Sequence, residues 1–192
     1  MVHKLQKFSH RPMRTLLLII LVLVTTLPLH SQSRSGVDTS TDVLMFAPGA
    51  TGAVLSLVKG DYKGLLQLAE TGATAVAINL VLKNTIHKRR PDGSDLKSFP
   101  SNHSMVAFGG AAYLQRRYGW VYGAPAYAVA SYVAWGRVYA RKHDFWDVLA
   151  GAAIGAGCAY VYTTPYSEKH NITVAPTLTP EGRPAIYFSM TM

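Results

Sequence analysis

The residues in the sequence that are best suited to catalysis are His143 and Asp147, which are four residues apart. On a helix, residues at this spacing are neighbours on one face. A carboxylate beside one imidazole nitrogen fixes the tautomer of the ring and leaves the other nitrogen as a nucleophile or base. Arg137 adds a cation six residues upstream, ahead of an apolar, glycine-rich segment. This combination favours a functional role for His143 over a purely structural one.

A second cluster is basic and ends at a proline. Lys83 and Arg90 are seven residues apart, so a continuing helix would carry both on one face. Pro91 predicts that the helix ends at or just before Arg90. An arginine fork and a lysine point charge together suit a phosphate group. Taken alone, the cluster is more typical of a solvated helix end, where cations also favour the helix dipole.

The third cluster, Pro100-Ser101-Asn102-His103, comes directly before an apolar segment. Its serine predicts a helix cap, and the free backbone N–H groups of a helix start can bind an oxyanion. His103 in the same turn is placed for proton transfer. A capping turn with an incidental histidine would give the same local pattern, so this cluster alone leaves both interpretations open.

In order and internal spacing, the three clusters resemble the tripartite signature of the type-2 phosphatidic acid phosphatase and vanadium haloperoxidase superfamily. The signature reads K-x6-RP, PSGH and SR-x5-H-x3-D, and the resemblance covers roughly residues 65–165. Two positions depart from it. Asn102 stands where glycine is usual, although asparagine also tolerates unusual backbone dihedral angles. Gly136 stands where serine is usual, which removes a hydroxyl but no titrating group.

The resemblance implies a role for each cluster. His143 would attack phosphorus and become phosphohistidine, Asp147 would hold its ring, and His103 would protonate the leaving group. No metal ion or other cofactor is implied. The phosphate would be bound by the side chains of Lys83, Arg90, Ser101 and Arg137 and by backbone N–H groups of the turn that contains Asn102. The remaining basic residues are interpreted as solvated charges that attract anionic head groups: His87, Lys88, Arg89, Arg141 and Lys142.

The segments that must position these clusters are apolar and of helical length. Hydrophobic residues make up 49% of the chain and charged residues 15%, against about 25% charged residues in soluble domains. Five apolar stretches follow residue 42, at residues 43–59, 65–82, 104–115, 120–135 and 146–163. They predict an all-α, membrane-associated bundle of about five to six helices over residues 43–165. Gly151 and Gly155 would allow two of these helices to pack closely.

The two ends of the chain differ from this central domain. Beyond Tyr166, two β-type runs flank a turn rich in proline and glycine, which predicts a short C-terminal β hairpin or extended tail over residues 166–192. Four basic residues before an apolar run at residues 16–24 predict a signal peptide or N-terminal anchor over residues 1–31. Cleavage is favoured, because that run is shorter than the roughly 20 residues of a spanning helix.

Loop charges predict the orientation. If the basic N-terminus stays inside, the loops at residues 59–64 and 115–119 also fall inside, and their basic residues follow the positive-inside rule. The loops at residues 83–103 and 136–145 then both fall outside; they are more basic still, which breaks the rule unless their charges serve chemistry. We therefore expect an inner-membrane protein with a periplasm-facing active site, or a protein exported to the periplasm.

The formal charge of +9 favours anionic partners. Nucleic acid is not expected, because the sequence has no zinc-finger cysteine spacing and no basic amphipathic helix. The compact chain with its signal-like start is similar to bacterial lipid A phosphatases of the superfamily. A phospholipid or lipid A-type substrate in a membrane is therefore expected, with lipid A phosphate first and undecaprenyl pyrophosphate or phosphatidylglycerol phosphate as alternatives. A soluble periplasmic acid phosphatase, a vanadium haloperoxidase and a non-catalytic module that binds anionic lipid are the other interpretations.

Overall fold

The computed structural model describes residues 33–166 and the backbone of two C-terminal strands. The predicted signal peptide or anchor, residues 1–31, lies outside the described residues. The first range forms six helices: α1 (Arg34–Leu44), α2 (Ala47–Val58), α3 (Tyr62–Thr85), α4 (Asn102–Tyr118), α5 (Trp120–Tyr139) and α6 (Phe145–Tyr162).

Helices α2 to α6 coincide with the five predicted apolar stretches, which confirms the all-α helical bundle. Helix α1 was not predicted. It begins at Arg34, ahead of the expected start of the helical domain at residue 43, and its sequence is mainly small and polar. Only Val37 and Thr41 of this helix are buried, so the apolar signal of α1 is too weak to mark a helix.

Side-chain caps fix where the helices that carry the clusters begin. Ser101 Oγ accepts a hydrogen bond from the backbone N–H of Ser104 at 3.4 Å, which confirms the predicted cap of α4. At the start of α6, the Asp144 carboxylate accepts from the Asp147 N–H at 3.0 Å, and the Asp147 carboxylate accepts from the Asp144 N–H at 3.1 Å. These bonds satisfy N–H groups that have no partner within a helix.

Helix α4 forms the centre of the bundle and packs against α2, α3, α5 and α6. Its side chains Met105, Tyr113 and Leu114 are at most 1% exposed. The two ends of α4 differ in the groups they carry. The N-terminal end carries the third cluster, whereas Arg117 at the C-terminal end forms a buried ion pair with Asp61 in the turn between α2 and α3, with a 2.7 Å hydrogen bond from Nε.

Two glycines bring α6 into contact with the first turns of α4. A Cβ atom on Gly151 would lie 2.3 Å from the Ser101 carbonyl oxygen, and one on Gly155 would lie 2.1 Å from the Met105 carbonyl oxygen. No side chain fits at either distance, so the predicted close packing through these glycines is confirmed. As a result, the start of α6 lies against the start of α4.

The outer surface of the bundle is apolar. Within residues 33–166, three segments are long and apolar enough to cross a membrane: Arg34–Val58, α3 and α6. Large side chains on these segments remain exposed, including Val58 at 80%, Val81 at 65% and Val161 at 78%. Exposed apolar faces of this extent mark a surface that contacts a membrane. They confirm the membrane-associated bundle and disfavour the soluble periplasmic alternative.

The two C-terminal strands, β1 (Asn171–Leu178) and β2 (Pro184–Thr191), pair antiparallel. In this register Asn171 lies opposite Thr191 and Leu178 lies opposite Pro184. Both strands fall within the tail that the sequence predicts over residues 166–192.

The substitution Gly155→Ala should force α6 away from α4, because the new methyl group would meet the Met105 carbonyl oxygen at 2.1 Å. We expect a loss of about 1–3 kcal/mol in unfolding free energy, the usual cost of overpacking. Thermal unfolding in detergent measures it. Gly157→Ala is the matched control on the same helix, since no atom lies within 4 Å of its Cβ position. Equal destabilisation by both substitutions would contradict the close contact.

Candidate active site

The three predicted clusters meet at one end of the bundle. They lie at the C-terminal end of α3 and the loop after it, at the start of α4, and in the turn between α5 and α6. Two backbone hydrogen bonds join these regions. The Ser98 N–H donates to the Lys88 carbonyl oxygen at 3.0 Å, and the Ser101 N–H donates to the Asp147 carbonyl oxygen at 2.9 Å.

His143 is held as the tautomer that a nucleophile needs. Its side chain is 2% exposed, and Nδ1 lies 2.7 Å from the Ser98 carbonyl oxygen. A carbonyl oxygen can only accept, so Nδ1 carries the proton and Nε2 keeps its lone pair. The orientation predicted for the ring is present, but its hydrogen-bond partner is a backbone group that the sequence pattern could not identify.

Asp147 is connected to His143 through Ser98 and not by a direct hydrogen bond. Its Oδ2 lies 3.7 Å from His143 Nδ1, within ion-pair range but beyond hydrogen-bond distance. The expected direct hydrogen bond is absent because α6 begins at Phe145, so His143 lies in the preceding turn and the two residues do not share a helix. Asp147 instead accepts a hydrogen bond from the Ser98 hydroxyl, in the residue whose carbonyl oxygen orients His143.

Lys88 is part of this network, contrary to its interpretation as a solvated charge. Its Nζ lies 2.5 Å from Asp144 Oδ2 and 2.7 Å from Asp147 Oδ1. Because Asp147 is fully buried, its carboxylate needs a cation close by. The signal for this pair is the D-x-x-D sequence of the α6 cap, which predicts a buried carboxylate near the basic loop. Lys142 likewise pairs with Asp92 at 2.9 Å.

The other residues interpreted as solvated charges are exposed, as expected: His87, Arg89 and Arg141.

Lys83 and Arg90 belong to two different segments: Lys83 lies in the last turn of α3 and Arg90 in the loop after it. Helix α3 ends at Thr85, earlier than the end at or just before Arg90 that Pro91 predicts, so the two cations do not lie on one helix face. Lys83 Nζ donates to the Lys97 carbonyl oxygen at 2.9 Å, and Arg90 Nε donates to Asp95 Oδ1 at 2.8 Å.

Arg137 is buried, with a side chain that is 5% exposed, and it pairs with the unpredicted helix α1. Its Nη1 lies 2.5 Å from Asp38 Oδ1 and 3.1 Å from Asp42 Oδ1. Among the described residues, Arg137 Nε is buried without a hydrogen-bond partner. The guanidinium therefore keeps a donor for an anion after its ion pairs are made.

Gly136 explains one departure from the family signature. A Cβ atom at this position would lie 2.5 Å from Thr41 Cγ2 on α1. The side chain that is missing here therefore makes room for α1, which carries the two aspartates that pair with Arg137.

His103 and Arg137 share one acidic partner. His103 Nε2 lies 2.7 Å from Asp42 Oδ1. Burial and the charge of Arg137 lower the pKa of His103 below its ordinary value, and the hydrogen bond to Asp42 opposes this shift. The protonation of His103 thus depends on the balance between Arg137 and the Asp42 carboxylate.

Ser101 and Asn102 form the start of α4. Ser101 is fully buried as the N-cap, and Asn102 is the first residue of the helix. Asn102 is not among the residues with positive φ in the described range, so replacing the usual glycine costs nothing in backbone strain. The helix start presents N–H groups and a positive dipole end to the site.

The site is cationic around a neutral histidine. Burial and the charges of Arg90, Arg137 and Lys83 lower the pKa of His143 to about 3, against a weaker opposing effect of Asp147. A neutral imidazole amid cations can attack an anion that those cations bind. Across the described residues, no group of three or more His, Cys, Asp or Glu side chains is arranged to hold a metal ion.

Comparison with known proteins identifies the family of this chain. The sequence matches the PAP2 superfamily over residues 64–170, more than half of the chain. It is 34% identical over 139 residues to a lipid A 4'-phosphatase of Helicobacter pylori, covering 67% of this chain and 70% of that protein. A lipid A 1-phosphatase of Porphyromonas gingivalis is 38% identical over 77 residues, covering 38% of this chain but only 17% of the relative.

Among solved structures, the fold is similar to the crystal structure of Aquifex aeolicus LpxE. The TM-score is 0.51 at 22% sequence identity, and the match covers 63% of this chain and 84% of the other. The resemblance predicted from the three clusters is therefore confirmed, and the chain belongs to the PAP2 superfamily.

Proposed function

We propose that this protein is a membrane phosphatase that hydrolyses a phosphate monoester of lipid A through a phosphohistidine on His143. The observation that carries the proposal is the fixed tautomer of His143, whose Nδ1 proton is bound by the Ser98 carbonyl oxygen at 2.7 Å. The lone pair of Nε2 is thereby kept for attack on phosphorus. The 34% identity to a lipid A 4'-phosphatase supports the choice of lipid A as substrate.

Binding of the phosphate uses the cations that surround His143. Lys83, Arg90 and the free Nε donor of Arg137 hold the phosphoryl oxygens, together with the N–H groups at the start of α4. These donors are fixed before the substrate arrives, so they stabilise the charge that develops in the transition state without reorganising.

The reaction has two steps. In the first, Nε2 of His143 forms a bond to phosphorus as the bond to the leaving oxygen breaks, and protonated His103 gives its proton to that oxygen. In the second, neutral His103 takes a proton from a water molecule, whose oxygen attacks phosphorus and breaks the P–N bond. Inorganic phosphate leaves, and both histidines return to their starting states. Acid–base help of this kind contributes about 10²–10⁴-fold to the rate.

The Asp42 carboxylate raises the pKa of His103 and so helps it to carry the proton of a general acid. Its carboxylate lies 2.7 Å from His103 Nε2 and favours the protonated ring against the effects of burial and Arg137. Asp42 is exposed, so it can accommodate both protonation states of its partner at moderate cost.

Helix directions support a periplasm-facing site in the inner membrane. All three clusters lie at one end of the bundle. Lys59, in the turn between α2 and α3, and Lys63, in the first turn of α3, lie at the other end. Basic residues favour the cytoplasmic side, and the more numerous cations at the site end are assigned to phosphate binding and to the ion pairs of the site instead. A membrane-impermeant maleimide added from the periplasmic side should label Ser94→Cys in the site loop and leave Lys63→Cys unlabelled. Labelling of Lys63→Cys alone would contradict this orientation.

The substrate is tested by phosphate release in detergent from lipid A, undecaprenyl pyrophosphate and p-nitrophenyl phosphate, with EDTA present. We expect wild type to prefer lipid A and His143→Ala to lose at least about 10³-fold in kcat, because the nucleophile is removed. Faster phosphate release from undecaprenyl pyrophosphate than from lipid A would identify the pyrophosphate as the substrate and leave the phosphohistidine mechanism unchanged. Turnover of none of the three, or full activity of His143→Ala, would contradict the proposed function.

The pH dependence tests the role of His103. Protonated His103 is required, so kcat/KM should fall as the pH rises through the His103 pKa, which lies below the ordinary histidine value. Asp42→Asn removes a carboxylate that raises this pKa, so the falling limb should move to lower pH. Asp92→Asn is the control, since Asp92 pairs with Lys142 at the rim. An unchanged limb in Asp42→Asn would contradict the assignment of His103 as the acid.

A further inference from the structure

Two carboxylates of α1 lie in the phosphate site. Asp38 Oδ1 and Asp42 Oδ1 are 2.5 and 3.1 Å from Arg137 Nη1. The Asp42 carboxylate also lies 2.7 Å from His103 Nε2. Acids in this position repel a phosphate that approaches Arg137, so they weaken its binding unless they have another role in the reaction. Support for the proton donor explains Asp42 but does not explain Asp38.

Arg137 can bind a phosphate and keep both carboxylates as partners. Its side chain is 5% exposed, and its Nε is buried without a hydrogen-bond partner among the described residues. Both ion pairs are made by Nη1, a different nitrogen of the guanidinium. Since a guanidinium has five N–H donors in a fixed fork, one nitrogen can bind the substrate while another stays paired. The carboxylates therefore remain beside the substrate throughout the reaction.

Helix α1 is fixed in this position by its packing on α5. The buried side chain of Thr41 fills the space beside Gly136, where a Cβ atom would lie 2.5 Å from Thr41 Cγ2. A second contact joins Ser40 Oγ and Tyr132 Oη at 3.0 Å. A serine, the usual residue of the superfamily signature at position 136, would meet Thr41. The placement of the two carboxylates thus depends on a position at which this chain departs from the signature.

The charges of the site differ around its two histidines. Burial lowers the pKa of His143 to about 3, together with the charges of three cations: Arg90, Arg137 and Lys83. The pKa of His103 is lowered by burial and by Arg137, and it is raised by Asp42 and Asp38. The site is therefore positive around the nucleophile and more negative around the proton donor.

This difference matters for the group that leaves. In the proposed reaction the phosphoryl group lies at His143 and the leaving oxygen lies at His103, whose ring contacts Asp42. In a phosphate monoester that oxygen is attached to carbon, so the group beside the two carboxylates is uncharged. In a pyrophosphate it is attached to a second phosphorus, which carries further negative charge. Repulsion between this charge and the carboxylates of Asp38 and Asp42 would oppose binding.

We propose that Asp38 and Asp42 make the site selective for phosphate monoesters of an uncharged alcohol and select against pyrophosphates. The inference rests on the proposed function, because it takes the leaving group to lie at His103, and it adds the chemical class of that group. The two carboxylates are 28% and 56% exposed, so they also have lone pairs available for hydroxyl groups of such an alcohol.

The test compares farnesyl phosphate with farnesyl pyrophosphate, two compounds with the same hydrocarbon chain. The measured quantity is the ratio of kcat/KM for the pyrophosphate to kcat/KM for the monophosphate, from initial rates of phosphate release in detergent. Asp38→Asn removes one negative charge at nearly constant size, so it should raise this ratio about tenfold. Asp38→Glu keeps the charge and should keep the wild-type ratio.

Asp92→Asn is the matched control, because it removes one carboxylate from the same end of the bundle. Asp92 pairs with Lys142 at 2.9 Å and has no contact with Arg137. Its substitution should leave the ratio unchanged. An equal rise in Asp92→Asn and Asp38→Asn would reveal a general effect of net charge and overturn the proposal. An unchanged ratio in Asp38→Asn would overturn it as well.

A binding measurement separates this inference from the proposed function. His143→Ala, alone and combined with Asp38→Asn, is titrated with each farnesyl compound and followed by native mass spectrometry, which requires no turnover. The double variant should bind the pyrophosphate about tenfold better relative to the monophosphate. If wild type hydrolyses neither compound, this relative affinity decides. A shift then supports the selectivity although the proposed function fails, and no shift overturns the selectivity.

Discussion

The contact on which the site depends is the backbone approach of α6 to α4 at Gly151 and Gly155. Hypothetical Cβ atoms there would lie 2.3 and 2.1 Å from the carbonyl oxygens of Ser101 and Met105. The contact fixes two helix starts side by side, and the Ser101 N–H bonds to the Asp147 carbonyl oxygen across the junction at 2.9 Å. His143, the proposed nucleophile, lies in the turn just before α6, and His103, the proposed proton donor, lies in the first turn of α4. A larger separation would place them too far apart to act on one phosphate.

Because the site is buried, its charged side chains are costly, and nearby ion pairs offset part of that cost. Buried cations are costly unless they are paired, and a phosphate site needs cations that are not fully neutralised. Arg137 is paired with the carboxylates of α1 but retains a free donor at Nε. Lys88 neutralises Asp147 instead of facing the phosphate. Burial, together with the positive charge that remains, lowers the pKa of His143 to about 3, so its lone pair stays available.

Much of this arrangement could be predicted from the sequence, because the family signature has fixed spacing and helical segments are apolar. The sequence indicated the helices α2 to α6, the Ser101 cap and the close glycine packing. It could not reveal α1, whose buried face is only two residues wide, nor the acids of α1 that pair with Arg137 and His103. The ring partner of His143 is a carbonyl group, which any residue carries, so no residue type could predict it. The spacing of His143 and Asp147 suggested a shared helix, whereas the capping box starts α6 between them.

The covalent intermediate is the most direct test of this account. His103→Ala should accumulate it with p-nitrophenyl phosphate, since that leaving group needs little protonation whereas water still needs a base to attack the P–N bond. Rapid quenching in alkali, followed by peptide mass spectrometry, should find one phosphoryl group on the peptide that contains His143. A phosphoryl group on another residue, or turnover by His103→Ala with no phosphorylated peptide, would contradict His143 as the nucleophile.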